Sequence, residues 1–147
     1  MYPSFVGASE LAARILRDFQ NAGFVVNMDK SVLHPSQSTT HLGMIVDFVS
    51  GQFEVLVHRW DKLHAAIRCL SSAPRNRVPV RQLANCVGQI ISMKVVLGPV
   101  VHLYTRFMYE VINQALGWSG WVTVSQAALE ELSFWSSTAR TSFRRPI

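Results

Sequence analysis

The chain has 147 residues, 49% of them hydrophobic, and carries 14 lysines and arginines against 9 aspartates and glutamates, for a net charge of +5. That length allows one ordinary domain with a real core or two small lobes, and the basic excess suits phosphate backbones or an acidic partner. A mean hydropathy of +0.19 fits a well-buried helical core or a piece of a larger protein whose neighbours would cover its apolar faces.

The greasiest stretch, Gln89 to Val101, is interrupted by Lys94, Gly98 and Pro99, so no membrane span is expected. Neither terminus reads as a secretory signal. Cys69 and Cys86 lack metal-type spacing and read as reduced core residues. Together these predict an intracellular protein, cytoplasmic or nuclear.

In chain order, Leu11, Ile15, Leu16 and Phe19 predict a helix over residues 9–22, with Ser9 as N-cap. Gly23 suits its left-handed stop, with Phe24 folding back on Phe19. A short strand through Val25 and Val26 and a basic loop carrying Asn27, Lys30 and Ser31 should follow. His41 to Phe48 alternates in part, with Gly43 in its interior, and Leu42, Met44, Val46 and Phe48 would share one face. Ser50-Gly51 marks a turn, Phe53, Val55 and Val57 alternate again, and a β-hairpin results.

Trp60, Leu63, Ile67 and Leu70 then predict a helix from about Arg59 to Ser72. Ala73 to Pro79 reads as a loop. Val80, Leu83, Val87, Ile90 and Ile91 mark the next helix, which Gly98-Pro99 breaks, and another is expected over Val100 to Leu116. Gly117 to Thr123 reads as a polar turn region with two tryptophans. The last helix starts at the N-cap Ser125, stapled by Val124 and Leu129, and runs to about Thr138. The expected class is α+β, mainly α: a short β-hairpin segment and then a helical bundle, with the boundary near His58 and no flexible linker.

No self-contained active site is legible. The acidic residues are scattered, and His34, His41, His58, His64 and His102 have no zinc-ligand spacing. The helix from Val80 to Met93 is the most informative element. Arg81, Asn85, Gly88, Gln89 and Ser92 fall on one stripe opposite its apolar face, a set suited to sugars, phosphates and minor-groove edges. A helical glycine costs about 1 kcal/mol relative to alanine, so Gly88 implies close approach by another backbone, either a nucleic-acid strand or a second helix. Arg59, Lys62, Arg68, Arg75, Arg77, Arg81 and Lys94 face only Asp61 in the same stretch of chain, and Arg140, Arg144 and Arg145 form a second basic cluster. A plain solvated surface is the other reading of this charge.

Two segments carry a family resemblance. GFVVNMDKSVLHPSQSTTHLGMIVDF resembles the part of retroelement reverse transcriptases that follows the catalytic aspartates. VRQLANCVGQIISMKVVLGPVVHLYTRFMYEVI resembles their thumb, closest to the gypsy-like and tyrosine-recombinase-bearing types. The resemblance implies a primer grip at His41, Leu42, Gly43 and Met44, with His41 where the family usually has an aromatic. It implies that Asn85, Gly88, Gln89 and Ser92 track a duplex minor groove. Lys30 would match a lysine near the departing pyrophosphate, or be a surface lysine in a turn.

The family's paired aspartates should lie shortly before the first helix, but the chain begins MYPSFVGAS and has no aspartate before Asp18. LSFWSSTARTSFRRPI resembles the lead-in to a ribonuclease H domain. Residues 1–57 would be a palm remnant with the primer-grip hairpin, 58–138 a thumb-like helical subdomain, and 139–147 the start of a connection. The parent family uses magnesium; no cofactor is expected in this chain. The expected partner is a template-primer duplex, RNA–DNA or DNA, with the missing fingers and palm or another protein as further candidates, and the expected behaviour is binding without polymerisation. The rival expectation is a domesticated, non-catalytic protein-interaction domain.

Overall fold

The computed structural model describes residues 4–138 and 144–147. Contacts divide the chain into two compact units, Met1–Gln37 and Ser38–Ile147. The fold is α+β and mainly helical, with seven α-helices and short antiparallel strands among the described residues.

The first unit holds helix α1, Phe5–Asn21, and a 3-10 turn at Met28–Lys30. Helix α1 starts earlier than its apolar spacing suggested. Ser4, not Ser9, is the N-cap, its hydroxyl accepting from the Gly7 N–H at 3.2 Å, while Ser9 sits one turn inside and donates to the Phe5 carbonyl at 2.9 Å. The stop is as expected. Gly23 has φ +84°, its N–H donates to the Gln20 carbonyl and the Phe24 N–H to the Phe19 carbonyl, both at 3.0 Å. That is a Schellman pair, and the Phe19 and Phe24 rings meet edge to face at 5.7 Å.

The strand expected through Val25 and Val26 does not form. Val25 is 99% exposed, and no described strand pairs with this segment, so its alternation has no sheet to join.

The second unit contains a four-stranded antiparallel sheet in the order β1-β2-β3-β6, formed by Ser38–His41, Met44–Asp47, Gln52–Val55 and Arg145–Pro146. The expected pairing of the second and third of these is present, in the register Met44↔Val55 to Asp47↔Gln52. The Asp47 carboxylate fastens the turn between them. It accepts from the Val49 N–H at 2.9 Å and the Ser50 hydroxyl at 2.7 Å, and those bonds, the Ser50 hydroxyl first, hold its carboxyl below the ordinary range.

Two strands of this sheet were not anticipated. Gly43 lies in a two-residue turn, not inside a strand, so His41–Phe48 splits into β1 and β2 with His41 opposite Met44. Leu42 and Phe48 consequently leave the apolar face and are exposed, while Met44 packs in the core and Val46 against it. Arg145 and Pro146 pair with Phe53 and Gln52, and Arg144 meets Glu54 at 3.1 Å. The connection expected over 139–147 is thus, in its described part, an edge strand; Arg140 and the rest of 139–143 lie outside the described residues.

Four helices surround the core: α2 (Val57–Ser71), α3 (Val80–Ser92), α6 (Arg106–Asn113) and α7 (Gln126–Ser137). They form a closed ring, α2 against α3, α3 against α6, α6 against α7 and α7 against α2. Trp60, Leu63, Ile67 and Leu70 of α2 point inward as their spacing required, toward Leu83, Ile90, Met108, Leu132 and Trp135. Because hairpin and helices share this compact unit, the boundary near His58 marks a change of secondary structure, not a break in packing. Cys86 is buried, but Cys69 is exposed, contrary to its expected place in the core.

The helix expected over Val100 to Leu116 is two helices, α5 (Val100–Leu103) and α6, after the short α4 (Lys94–Leu97). The break at Tyr104–Thr105 is supported by partners distant in sequence. Glu131 of α7, only 4% exposed, accepts from the Phe107 and Met108 N–H groups at 2.9 Å each, and the Trp135 indole donates to the Tyr104 carbonyl at 2.7 Å. A carboxylate at a helix start satisfies orphan donors and favours the positive end of the helix dipole. The last helix has the expected cap and staple: the Ser125 hydroxyl accepts from the Ala128 N–H at 3.3 Å, and Val124 is buried with Leu129 packed on the core.

The segments read as a loop and a tryptophan turn pair with each other. After a 3-10 turn at Pro74–Asn76, β4 (Arg77–Pro79) runs antiparallel to β5 (Trp121–Thr123). Three residues per strand are too few for visible alternation, and the prolines disguise β4 as a loop.

Candidate nucleic-acid interface

The sequence-defined stripe on α3 faces solvent. Arg81, Asn85, Gly88 and Ser92 are exposed and Gln89 is half-buried, while Val80, Leu83, Cys86, Val87 and Ile90 turn inward. Between this stripe and α2 lies an open groove of about 450 Å³, lined by His58, Arg59 and Lys62 on one side and Asn85, Gly88, Gln89, Ser92 and Met93 on the other.

The groove walls are ordered by side-chain bonds. Arg59 donates through Nη1 to the Ser92 hydroxyl at 3.1 Å, and that hydroxyl donates to the Gln89 carbonyl at 2.7 Å. One turn earlier, the Gln89 amide donates to Asn85 Oδ1 at 2.7 Å, and Gln89 Oε1 is left with no partner. At the floor, a Cβ built on Gly88 would meet nothing within 4 Å. No second helix or other part of the described chain comes close there, so internal packing does not require the glycine.

The hairpin turn reaches the same groove. Leu42 and Gly43 both have positive φ, +49° and +80°, the mark of a primed two-residue turn. The space where a Gly43 Cβ would stand is filled by the Arg59 guanidinium. The close approach expected at Gly43 from a nucleic-acid backbone is therefore made by an arginine of the chain itself. His41 is exposed and Leu42 is 74% exposed, whereas the Met44 side chain serves the core. Arg59 links the hairpin turn to the stripe.

Arg81 stands at the other end of the stripe, in the first turn of α3. Lys30 lies in the first unit, in a 3-10 turn capped by Asn27, whose Oδ1 accepts from the Lys30 N–H at 3.1 Å while the Ser31 hydroxyl donates to the Asn27 carbonyl at 2.7 Å. The N-x-x-K-S spelling is thus a local capping unit with the lysine exposed.

His58, Arg59 and Lys62 were not singled out from sequence as site residues. Their signal was present, since His58 and Lys62 are four apart at the start of a helix and therefore share a face. Among the described residues the ion pairs are Arg106–Glu110 and Arg144–Glu54, so none of the groove cations is ion-paired there. Open cations, amides and a side-chain-free floor can accommodate a phosphate backbone and the sugar edges beside it.

No family model, no curated protein and no solved structure matches the chain. No helix among the described residues is long and apolar enough to cross a membrane.

Proposed function

We propose that this chain is a nucleic-acid-binding piece of a retroelement reverse transcriptase, comprising the end of the palm, the primer-grip hairpin and the thumb. It holds a template-primer duplex, RNA–DNA or DNA, in the groove between α2 and α3. The observation that carries this reading is Gly88: a glycine in the exposed face of a helix, with open space above it and cations opposite. An outside backbone lying close to the helix explains the residue where internal packing does not.

The proposed activity is binding, without a bond-making step.

One observation favours a second reading. No residue of α1 is buried, and Ile15, Leu16, Phe19, Val26, Val32 and Leu33 line an apolar trough of about 280 Å³ in the first unit. Such a face suits a protein partner, either absent polymerase parts or the target of a domesticated interaction domain.

Fluorescence anisotropy of a labelled RNA–DNA hybrid, titrated at several salt concentrations, separates the two. Duplex binding gives affinity that falls steeply with salt, and Lys62→Ala lowers the slope by about one. Absence of binding at low salt leaves the protein-interaction reading. Templated primer extension by this chain with magnesium would refute the proposal that it only binds.

A further inference from the structure

The tryptophans of the β4–β5 ribbon have no part in the groove, yet their setting is specific. The register is Arg77↔Thr123, Val78↔Val122 and Pro79↔Trp121. Alternate residues of a strand point to opposite faces. Val78 and Val122 are buried, so Arg77, Pro79, Trp121 and Thr123 face outward. Trp121 is 59% exposed, and Trp118, in the loop leading to it, is 61% exposed. Arg77 and Trp121 are diagonal neighbours on this face, close enough for long side chains to reach one another.

The ribbon also abuts the start of α3, because the Val80 N–H donates to the Gly120 carbonyl at 3.1 Å. Residues 74–81 contain Arg75, Arg77 and Arg81 and no acid, and residues 115–125 contain no acid either. None of these arginines has an ion-pair partner among the described residues.

We infer that this outward face, Trp121 with Arg77, is a stacking site for an unpaired nucleic-acid strand. An exposed indole offers a flat apolar surface to a base, and a neighbouring guanidinium takes the phosphate. Inside a duplex the bases are stacked on one another, so only its terminal pairs offer a free face. An apolar protein surface would leave the arginines without counter-charges. The site does not depend on the groove and stands even where no duplex binds there.

The chain reports on this site by its own fluorescence. Of four tryptophans, Trp60 is 1% exposed and Trp135 0%, so a ligand in solution reaches only Trp118 and Trp121. Titration with an oligothymidylate of about ten nucleotides should give saturable quenching. Trp121→Ala should weaken that binding about tenfold, and Arg77→Ala should weaken it and flatten its salt dependence. Both positions are exposed, and circular dichroism checks that each variant keeps its helices. A long duplex, with few ends per nucleotide, should compete only weakly for the tryptophan signal. The inference is overturned by an absence of quenching, by unchanged affinity in folded Trp121→Ala, or by equal quenching with the duplex. A blue shift with vesicles of phosphatidylcholine and phosphatidylserine and none of the oligothymidylate response would assign the face to lipid and overturn it too. Failure of the groove alone looks different: the hybrid anisotropy disappears while oligothymidylate quenching persists.

Discussion

The Arg59 guanidinium lies over Gly43, in the space a side chain there would need, and from that position it bonds to Ser92. The turn of the hairpin thereby fixes the cation on the groove wall. Replacing Gly43 by alanine imposes two separable penalties. A left-handed backbone costs a non-glycine residue about 1–2 kcal/mol, and the new methyl displaces Arg59 from Ser92. Gly43→Ala should lower stability to denaturant by about 1–2 kcal/mol and weaken hybrid binding. A double-mutant cycle with Arg59→Ala separates the terms. If the loss is the same with and without Arg59, backbone strain is the whole effect and the arginine does not sense the turn.

Gly88 should behave in the opposite way. Its φ is not in the left-handed region, its Cβ would meet nothing, and it lies within a helix. Gly88→Ala should therefore stabilise the fold by about 1 kcal/mol, while Gly88→Leu fills the groove floor. Thermal melts and hybrid anisotropy should move in opposite directions, with melting temperature up in Gly88→Ala and affinity falling from glycine to alanine to leucine. Unchanged affinity in the leucine variant would remove the groove as the binding surface.

The legible parts of this fold are those in which one helix face is repeated often enough to see. Trp60, Leu63, Ile67 and Leu70 and the two faces of α3 were readable because each spans three or more turns. The Ser125 cap and the Gly23 stop were readable because their chemistry is local. What was hidden depends on distant partners. The break before Arg106 is supported by Glu131, the β4 strand exists only by pairing with Trp121–Thr123, and the edge strand at Arg145–Pro146 is held by β3. For the groove, one wall could be read from the α3 stripe, but the other required knowing that α2 packs beside it. No pattern within α2 says which neighbour its cations will face.

The two cysteines should differ sharply in reactivity. Cys69 is exposed and should react with a thiol reagent in the native protein; Cys86 is 0% exposed and should react only on unfolding. Burial pushes the Cys86 thiol up from an ordinary value of 9.0 to about 12. The neutral thiol is thus favoured in the folded state. Its contribution to stability is complete below pH 9 and is lost as pH rises toward 12. Comparing wild type with Cys86→Ala by denaturation across that range isolates the effect. The wild-type curve should fall more steeply, and parallel curves would show that Cys86 does not titrate with unfolding.

The buried carboxylate of Glu131 holds the start of α6 with both oxygens, one on the Phe107 N–H and one on the Met108 N–H. An amide has only one acceptor oxygen, so Glu131→Gln keeps the shape but turns an NH2 toward one of those donors. Leaving a buried donor unsatisfied costs about 1–3 kcal/mol, and the loss of negative charge at a helix start adds to it. The variant should unfold at lower denaturant, and amide exchange should quicken at Phe107 and Met108 before it quickens in α3. The second readout distinguishes a local release of α6 from general loosening of the core. Wild-type protection of both amides in Glu131→Gln would mean that packing around Met108, not the carboxylate, starts this helix.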